Sequence, residues 1–472
     1  MLSTAILKEI MEVAGEENVI TSQAGLYTYG FDASIHHHSP DVVVRGRNTA
    51  QISALVKLAN QRNIPIVARG SGTALSGQAI PIHGGIILDL SGMTAVREVR
   101  VEDLYCVVEP GVIYSRLNNQ LARKGFFFPP SPGSADVCTI GGMVACNASG
   151  MRAIKYGATR DYVLAMEVVL PDGKVMHVGT NTIKNSSGYQ LEKLMVGSEG
   201  TLGIITEITL RLLPLPEKRA IAVASFDDIE QAGQGISNVI ASGLLPSGLE
   251  IMDSVCIRAV NRSMQMGLPE CDAIILAEVD GPEEIVRRDI EKVADICRES
   301  GARDVDFTTD EKEMLKLWKG RKGVLPSLSR YGRDSVSVSL ADDMSVPISK
   351  LPLAIKQFQE IAEKHGIVIG TYGHAGDGNL HTKVLINPLE EGAWGRAEAA
   401  VDGIYRAVLA LGGTVSGEHG IGISKAPWMQ IERRDSLEVM EAIKRAVDPQ
   451  NIMNPGKIMQ WKGSIIQYLR YP

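Results

Sequence analysis

With 472 residues, the chain exceeds the ~250–300 residues at which single cores stop growing, so more than one domain is expected. A net charge of −7, 44% apolar and 22% charged residues describe an ordinary soluble globular protein, while 5% aromatics and no basic stripe argue against a nucleic-acid partner. No apolar run reaches the ~18 residues of a membrane helix, and six cysteines without a CxxC pair point to reduced thiols in a cytoplasmic compartment.

Residues 1–45 read as a helical entry, opening with an acidic amphipathic helix and closing in "HHHSPDVVVRGRN". From 46 to 214 a helix (49–63), short apolar strands (65–69, 85–90, 104–110) and glycine-rich loops alternate. "RLLPLPEKRA" (211–220), with two prolines among mixed charge, reads as a linker. Beyond it the hydrophobic period switches between 2 and 3.6, as in helix-backed antiparallel sheet units. Strands are expected at 220–226, 247–253, 273–281, 302–308 and 335–341, with helices at 227–242, 282–301 and 348–366. Segments 367–374 and 379–386 form a hairpin, and the helix 391–413 leads into "TVSGEHG", where the Glu-His pair should end a strand. A substrate domain at 219–415 and a closing segment at 416–472 complete the expected division.

The 48 glycines exceed the usual share of about 7% and cluster at 69–85, 125–157, 197–203 and 370–422. "PIVARGSGTALSGQ" (65–78) is a strand feeding a loop whose N–H groups can form a nest for a pyrophosphate. Its plainer reading is a tight turn. Leu75 stands where a Rossmann fingerprint wants its third glycine, no helix follows, and there is no Walker lysine. Two further long Gly/Ser/Asn loops, 129–163 and 196–206, favour a large phosphate-bearing cofactor.

"RGSGTALSGQ", "TIGGMVACNASG" and "GSEGTLGIITEITLRLLP", with "GHAGDGNLH", "SGEHGIG" and "NPGKIM", resemble the FAD-linked oxidases of vanillyl-alcohol-oxidase type, in their glycolate oxidase D-subunit and D-lactate dehydrogenase branch. The resemblance spans about residues 20–460 and implies an α+β fold. It pairs an FAD-binding domain of the vanillyl-alcohol-oxidase (PCMH) type with an antiparallel-sheet cap domain flanked by helices. It implies that Arg69, Gly70, Ser71, Gly72, Thr73, Ser76 and Gly77 cradle the pyrophosphate. Pro132, Gly133, Thr139, Gly142, Asn147, Ser149 and Gly150 match the second cofactor loop, Gly200, Thr201 and Ile204 the third, and Asn454 returns from the C-terminal end. Some relatives attach FAD through a histidine where Thr73 stands here, so non-covalent FAD is expected.

Only nine histidines occur, and two of them, His374 and His381, flank a glycine-rich turn. With Glu418 they offer two imidazoles and a carboxylate, a set that suits a catalytic divalent metal; each histidine taken alone reads equally as structural. The resemblance implies that these three bind the ion, expected to be zinc, and that His419 is the proton acceptor. It also makes Arg321, three residues after Trp318, the candidate for the substrate carboxylate; the alternative is an exposed cation on a basic helix. Asn379 reads either as a hydrogen-bonding partner of ligand or substrate, or as a turn residue. Ala341 stands where relatives acting on D-2-hydroxyglutarate carry a lysine, which favours D-lactate or glycolate over a dicarboxylate.

"HHH" (36–38) reads as a surface loop, Cys138 and Cys146 as packed thiols, and the tail 461–472 as packing on its own chain or docking a partner. The expected activity is FAD- and metal-dependent oxidation of a small D-2-hydroxy acid. A non-catalytic flavin subunit, a D-2-hydroxyglutarate-type dehydrogenase and a metallohydrolase are the competing readings. With no cysteine pattern for its own cluster, the chain needs a separate electron acceptor. The resemblance implies an iron–sulfur protein, an electron-transfer flavoprotein or quinone, in a homodimer or redox complex that is cytoplasmic or held at the membrane through a partner.

Overall fold

The computed structural model describes residues 2–332, 334–340, 342–461 and 463–471, and its chain divides into two compact units. The first comprises Met1–Ser149, Ala158–Leu215 and Glu418–Arg470; the second comprises Gly150–Gly157, Pro216–Gly417 and Tyr471–Pro472.

Among the described residues eleven strands build the first unit: β1 Val19–Ile20, β2 Val42–Arg45, β3 Ile66–Arg69, β4 Ile86–Asp89, β5 Val96–Arg100, β6 Tyr105–Val108, β7 Phe126–Phe127, β8 Val163–Val169, β9 Val175–Gly179, β10 Ile204–Arg211 and β11 Leu213–Pro214. A small sheet runs β1-β2-β4-β3, with β2, β4 and β3 parallel. Parallel neighbours need crossover connections. The helix Thr49–Arg62 supplies one between β2 and β3: Asn48 caps its start, and Ile52, Leu55, Val56 and Ala59 make its buried stripe. The second sheet, β5-β6-β10-β8-β9, is antiparallel throughout. Two cores form, one around Val44, Leu55, Ile66 and Leu88 that also takes in Val169 and Ile204 of the second sheet, the other around Val108, Leu117, Val168 and Ile208.

The second unit is one antiparallel sheet of β12 Lys218–Phe226, β13 Gly248–Asp253, β14 Ala273–Gly281, β15 Asp304–Thr308, β16 Val336–Val338, β17 Met344–Ser345, β18 Val368–His374 and β19 Asn379–Ile386. Its order is β15-β12-β14-β13-β18-β19-β16, with β17 beside β19. The helix Glu283–Glu299 buries Val286, Ile290, Val293, Ala294 and Cys297, one face at 3–4-residue spacing, and stays charged on the other. The expected strands and helices of this unit are present, with one correction. "TVSGEHG" forms no strand; Thr414 makes only an isolated bridge to Ser345, and the chain then runs as a loop through two glycines. Glycine is required there, because a Cβ on Gly417 would stand 2.1 Å from Asn379 Nδ2.

The β18–β19 turn has a similar demand. Gly378 has φ +81° and a Cβ on it would lie 2.0 Å from the Val346 carbonyl oxygen. Gly378→Ala should therefore cost about 2 kcal/mol or more and disturb both flanking histidines. Urea denaturation and divalent-ion binding of that variant check this, and wild-type values for both would contradict it.

"HHH" is not a surface loop. His36 is buried, its ring Nε2 stands 2.8 Å from Ser424 Oγ, and burial, reinforced by Lys457 and Arg470, lowers its pKa to about 3. The tail packs on this same segment: His37 N–H donates to Tyr468 O, and Arg470 N–H to Ile35 O. Among the described residues no helix is long and apolar enough to cross a membrane.

Candidate functional site

The loop after β3 leaves its backbone donors unspent. From Gly70 to Leu75 no N–H donates to another described residue. Gly72 (φ +70°) and Gly77 (φ +81°) are left-handed, and a Cβ on Gly70 would meet Thr139 Oγ1 at 2.2 Å. Glycines open the path to the backbone, and a run of unspent N–H groups is what a bound pyrophosphate satisfies. The residues fit FAD on this ground.

The other cofactor loops join this one. Thr139 caps the helix Ile140–Cys146, whose end at Asn147 is left-handed (φ 53°). The Gly197 and Glu199 N–H groups donate to Val144 O and Ala145 O, tying the third loop to the second. Asn454 Nδ2 donates to Gln78 O (2.9 Å) and Glu199 O (2.7 Å), closing the first and third loops from the far end of the chain. The side chain of Asn454 is thus a clamp between loops. Thr201 spends its hydroxyl on Ser198 O, and Ile204 is a buried residue that opens β10. Pro132 turns the second loop by accepting from Ala135 N–H, and nothing lies within 4 Å of a Cβ on Gly133.

Two buried lysines brace this region. Lys444 Nζ donates to Thr201 O (2.8 Å), Met453 O (2.9 Å) and Asp448 Oδ2 (2.5 Å). Lys457 Nζ donates to Ile80 O and Asn454 Oδ1; burial pushes its pKa down to about 7 against the pull of Asp32 and Glu199. Lys444→Met would leave the buried Asp448 carboxylate with backbone donors only, costing about 3 kcal/mol. Guanidinium denaturation should register that loss together with easier FAD release; an unchanged midpoint would refute it.

Glu418 and His419 belong to this first unit. Ser149 Oγ donates to Glu418 Oε2 at 3.2 Å, and Glu418 Oε1 stands 3.6 Å from His419 Nε2. Gln78 Nε2 donates to the His419 carbonyl, and the buried Glu199 carboxylate accepts from the Ile421 and Gly422 N–H groups. The Glu-His dipeptide is thereby fastened to the first and third cofactor loops.

In the second unit the hairpin register sets His374 opposite Asn379 and Tyr372 opposite His381, so all four side chains share one face. The two imidazoles converge, Nε2 to Nε2, at 3.4 Å. Two nitrogens about 2.0–2.1 Å from one tetrahedral ion stand about 3.4 Å apart, so this pair fits a shared divalent metal. Behind His374, Nδ1 meets Glu250 Oε1 at 2.7 Å; behind His381, Nδ1 stands 3.3 Å from Asp342 Oδ1. Asp343 also brings a carboxylate oxygen within 4.8 Å of a His381 nitrogen. Asn379 is buried, with its Nδ2 donating to Asp343 Oδ1, Met344 O and Ser345 Oγ.

Arg321 is not an exposed cation. It is 5% exposed, pairs with Glu250 Oε2 at 2.5 Å, and lies 4.7 Å over the Tyr372 ring. Burial raises the carboxyl of Glu250, but Arg321 and His374 outweigh that and hold its pKa below the ordinary value. Gly150 (φ +124°) begins the stretch that belongs to the second unit, where Lys155 and Tyr156 bind Asp280. Ala341 lies outside the described residues. Cys138 and Cys146 are free thiols, pushed up by burial, that of Cys138 to about 11.

Sequence reasoning missed Glu250, Asp342, Asp343, Glu199 and Lys383. For Glu250 and Lys383 the available signal was an acid or a lysine inside an apolar strand, "GLEIMD" and "NLHTKVLI"; Asp342, Asp343 and Glu199 lie in loops and gave no such signal.

Known proteins agree with this architecture. The family "FAD linked oxidases, C-terminal domain" matches residues 215–458, and "FAD binding domain" matches residues 40–179. The chain is 38% identical over 461 residues to "Glycolate oxidase subunit GlcD" of Bacillus subtilis, covering 97% of each. It is 38% identical over 425 residues to "D-lactate dehydrogenase" of Archaeoglobus fulgidus, covering 89% of this chain and 91% of that one. A solved structure of p-cresol methylhydroxylase with substrate bound superposes with a TM-score of 0.77 at 19% identity, covering 97% and 98%, and shares the fold. The chain belongs to the FAD-linked oxidases of vanillyl-alcohol-oxidase type, an FAD-binding oxidoreductase with the PCMH-type α+β fold and kinship to glycolate oxidase D-subunits and D-lactate dehydrogenases.

Proposed function

We propose that this chain oxidises a small D-2-hydroxy acid, D-lactate or glycolate, to the 2-oxo acid, using non-covalent FAD and a divalent metal expected to be zinc. The observation that carries the reading is the pair of imidazole Nε2 atoms 3.4 Å apart, each backed by a carboxylate, in a chain whose first unit fastens a Glu-His dipeptide to its cofactor loops. The names of the Bacillus and Archaeoglobus relatives support the substrate class.

When bound, FAD supplies the two-electron acceptor for the hydride leaving Cα, and a divalent ion supplies Lewis acidity that makes the hydroxyl easier to deprotonate. His374, His381 and Glu418 are the proposed ligands, and Arg69–Thr73, Ser76 and Gly77 with the second and third loops hold the cofactor. An imidazole nitrogen of His419 accepts the hydroxyl proton, a task suited to histidine near neutral pH. Arg321 offers a planar guanidinium to the substrate carboxylate while one of its edges stays on Glu250. Thr73, standing where a covalent histidine would be, leaves FAD dissociable. Electrons then pass to a separate acceptor, an iron–sulfur protein, an electron-transfer flavoprotein or quinone; the word "subunit" in the Bacillus relative's name supports work within an assembly.

The test is turnover with an artificial dye acceptor, scored by the 2-oxo acid formed. D-Lactate or glycolate should yield pyruvate or glyoxylate, acid precipitation should free the FAD, and a chelator should stop turnover. No product from either acid under full FAD and metal loading would overturn the reading.

A further inference from the structure

His374 Nδ1 meets Glu250, and Glu250 in turn pairs with Arg321. His381 Nδ1 faces Asp342, and Asp342 in turn accepts from Lys383 Nζ, which also donates to Ser339 Oγ at 2.6 Å. Both carboxylates and both cations are buried: Glu250 0%, Asp342 2%, Arg321 5% and Lys383 0% exposed. The order recurs behind both histidines, which lie on the neighbouring strands β18 and β19: a cation, then a carboxylate, then an imidazole, hydrogen-bonded at His374 and at 3.3 Å ion-pair distance at His381.

Burying one such ion pair is costly, and well-packed apolar side chains serve stability as well. Two pairs behind two adjacent histidines need another reason. An ionised carboxylate can only accept, so His374 carries its proton on Nδ1 toward Glu250 at 2.7 Å, and the Asp342 carboxylate 3.3 Å from His381 Nδ1 favours the proton on that nitrogen by charge. The lone pair of each ring is then on Nε2, and the two Nε2 atoms are the ones that face each other at 3.4 Å. Arg321 holds the Glu250 carboxyl below its ordinary pKa, and each buried cation offsets the charge of its carboxylate, so each pair brings no net charge to the site.

Resting on the metal reading of the proposed function, we propose that Arg321–Glu250–His374 and Lys383–Asp342–His381 are paired positioning triads, in which Glu250 and Asp342 set the tautomer and aim of the two imidazoles toward one divalent cation. Neither carboxylate touches the reacting atoms; both act through the ring in front of them.

The test is Zn²⁺ alone, titrated into FAD-loaded, metal-stripped protein. Glu250→Gln/Arg321→Met and Asp342→Asn/Lys383→Met each remove both buried charges, so neither leaves an ion stranded. Each should weaken Zn²⁺ binding by about 10–100-fold while the metal-free melting temperature stays near wild type. Co²⁺ in place of Zn²⁺ should show a changed visible spectrum in both, a readout that a purely structural role would not move. Glu250→Asp, which keeps both charges but shortens the reach, provides the same comparison if a double variant folds poorly, and should also bind Zn²⁺ more weakly. Wild-type affinity and Co²⁺ spectrum in these variants would overturn the positioning role and leave the metal reading standing. Failure of the wild-type protein itself to bind Zn²⁺ would overturn both.

Discussion

His419→Ala should abolish substrate-driven flavin reduction while leaving the cofactor and the metal in place. Removal of a positioned base costs about 10²–10⁴-fold in rate, and the effect should appear in the reductive half-reaction measured by stopped flow. The reason to expect retained FAD is specific. The His419 backbone carbonyl accepts from Gln78 Nε2 in the first cofactor loop, a bond that alanine keeps. Glu199 continues to hold the Ile421 and Gly422 N–H groups, so the loop should keep its course. Reduction at the wild-type rate in a protein with normal FAD and metal content would remove His419 from the base role.

His374→Ala should strip the divalent metal and with it the activity, again without loss of FAD. The substitution removes one of two converging Nε2 donors, so affinity should fall further than the ~10–100-fold typical of changes behind a ligand. It also leaves the Glu250 carboxylate with Arg321 but without its imidazole donor, a cost of about 1–3 kcal/mol that a melting experiment should register. FAD should stay because His374, Glu250 and His381 all lie in the second unit, and the glycine loops lie in the first. Metal analysis after dialysis checks the claim. A variant that keeps one ion per chain would contradict it; loss of that ion in Asp343→Asn instead would shift the ligand set to Asp343 and His381, whose donor atoms stand within 4.8 Å of each other.

Much of this was legible because the chemistry-bearing residues here break the pattern of their surroundings. Glycines at 70, 72 and 77 lie in a run poor in apolar side chains, and His374 and His381 flank a glycine-rich turn, so they announced themselves although both histidines are buried. The antiparallel unit was equally plain, since period 2 and period 3.6 alternate cleanly from β12 to β19. What could not be read was long-range pairing. Glu250 and His374 are 124 residues apart, and His36 and Ser424 are 388 apart; nothing local tells that "HHH" is buried against a distant serine. The same holds for Arg321. On sequence it shares a helix turn with Lys319 and Lys322, and only the tertiary fold turns it inward to a carboxylate. The missing strand at "TVSGEHG" has a local cause: Gly413 and Gly417 both approach neighbouring atoms too closely for a Cβ, and the chain departs from the sheet between them.

The most direct test of the account is anaerobic. FAD- and metal-loaded protein is mixed with D-lactate, L-lactate, glycolate or D-2-hydroxyglutarate while the flavin band near ~450 nm is followed. The account predicts rapid bleaching by D-lactate or glycolate, little by L-lactate or the dicarboxylate, and none after chelation. A flavin that stays oxidised with both D-lactate and glycolate, or that bleaches equally well without metal, would contradict it.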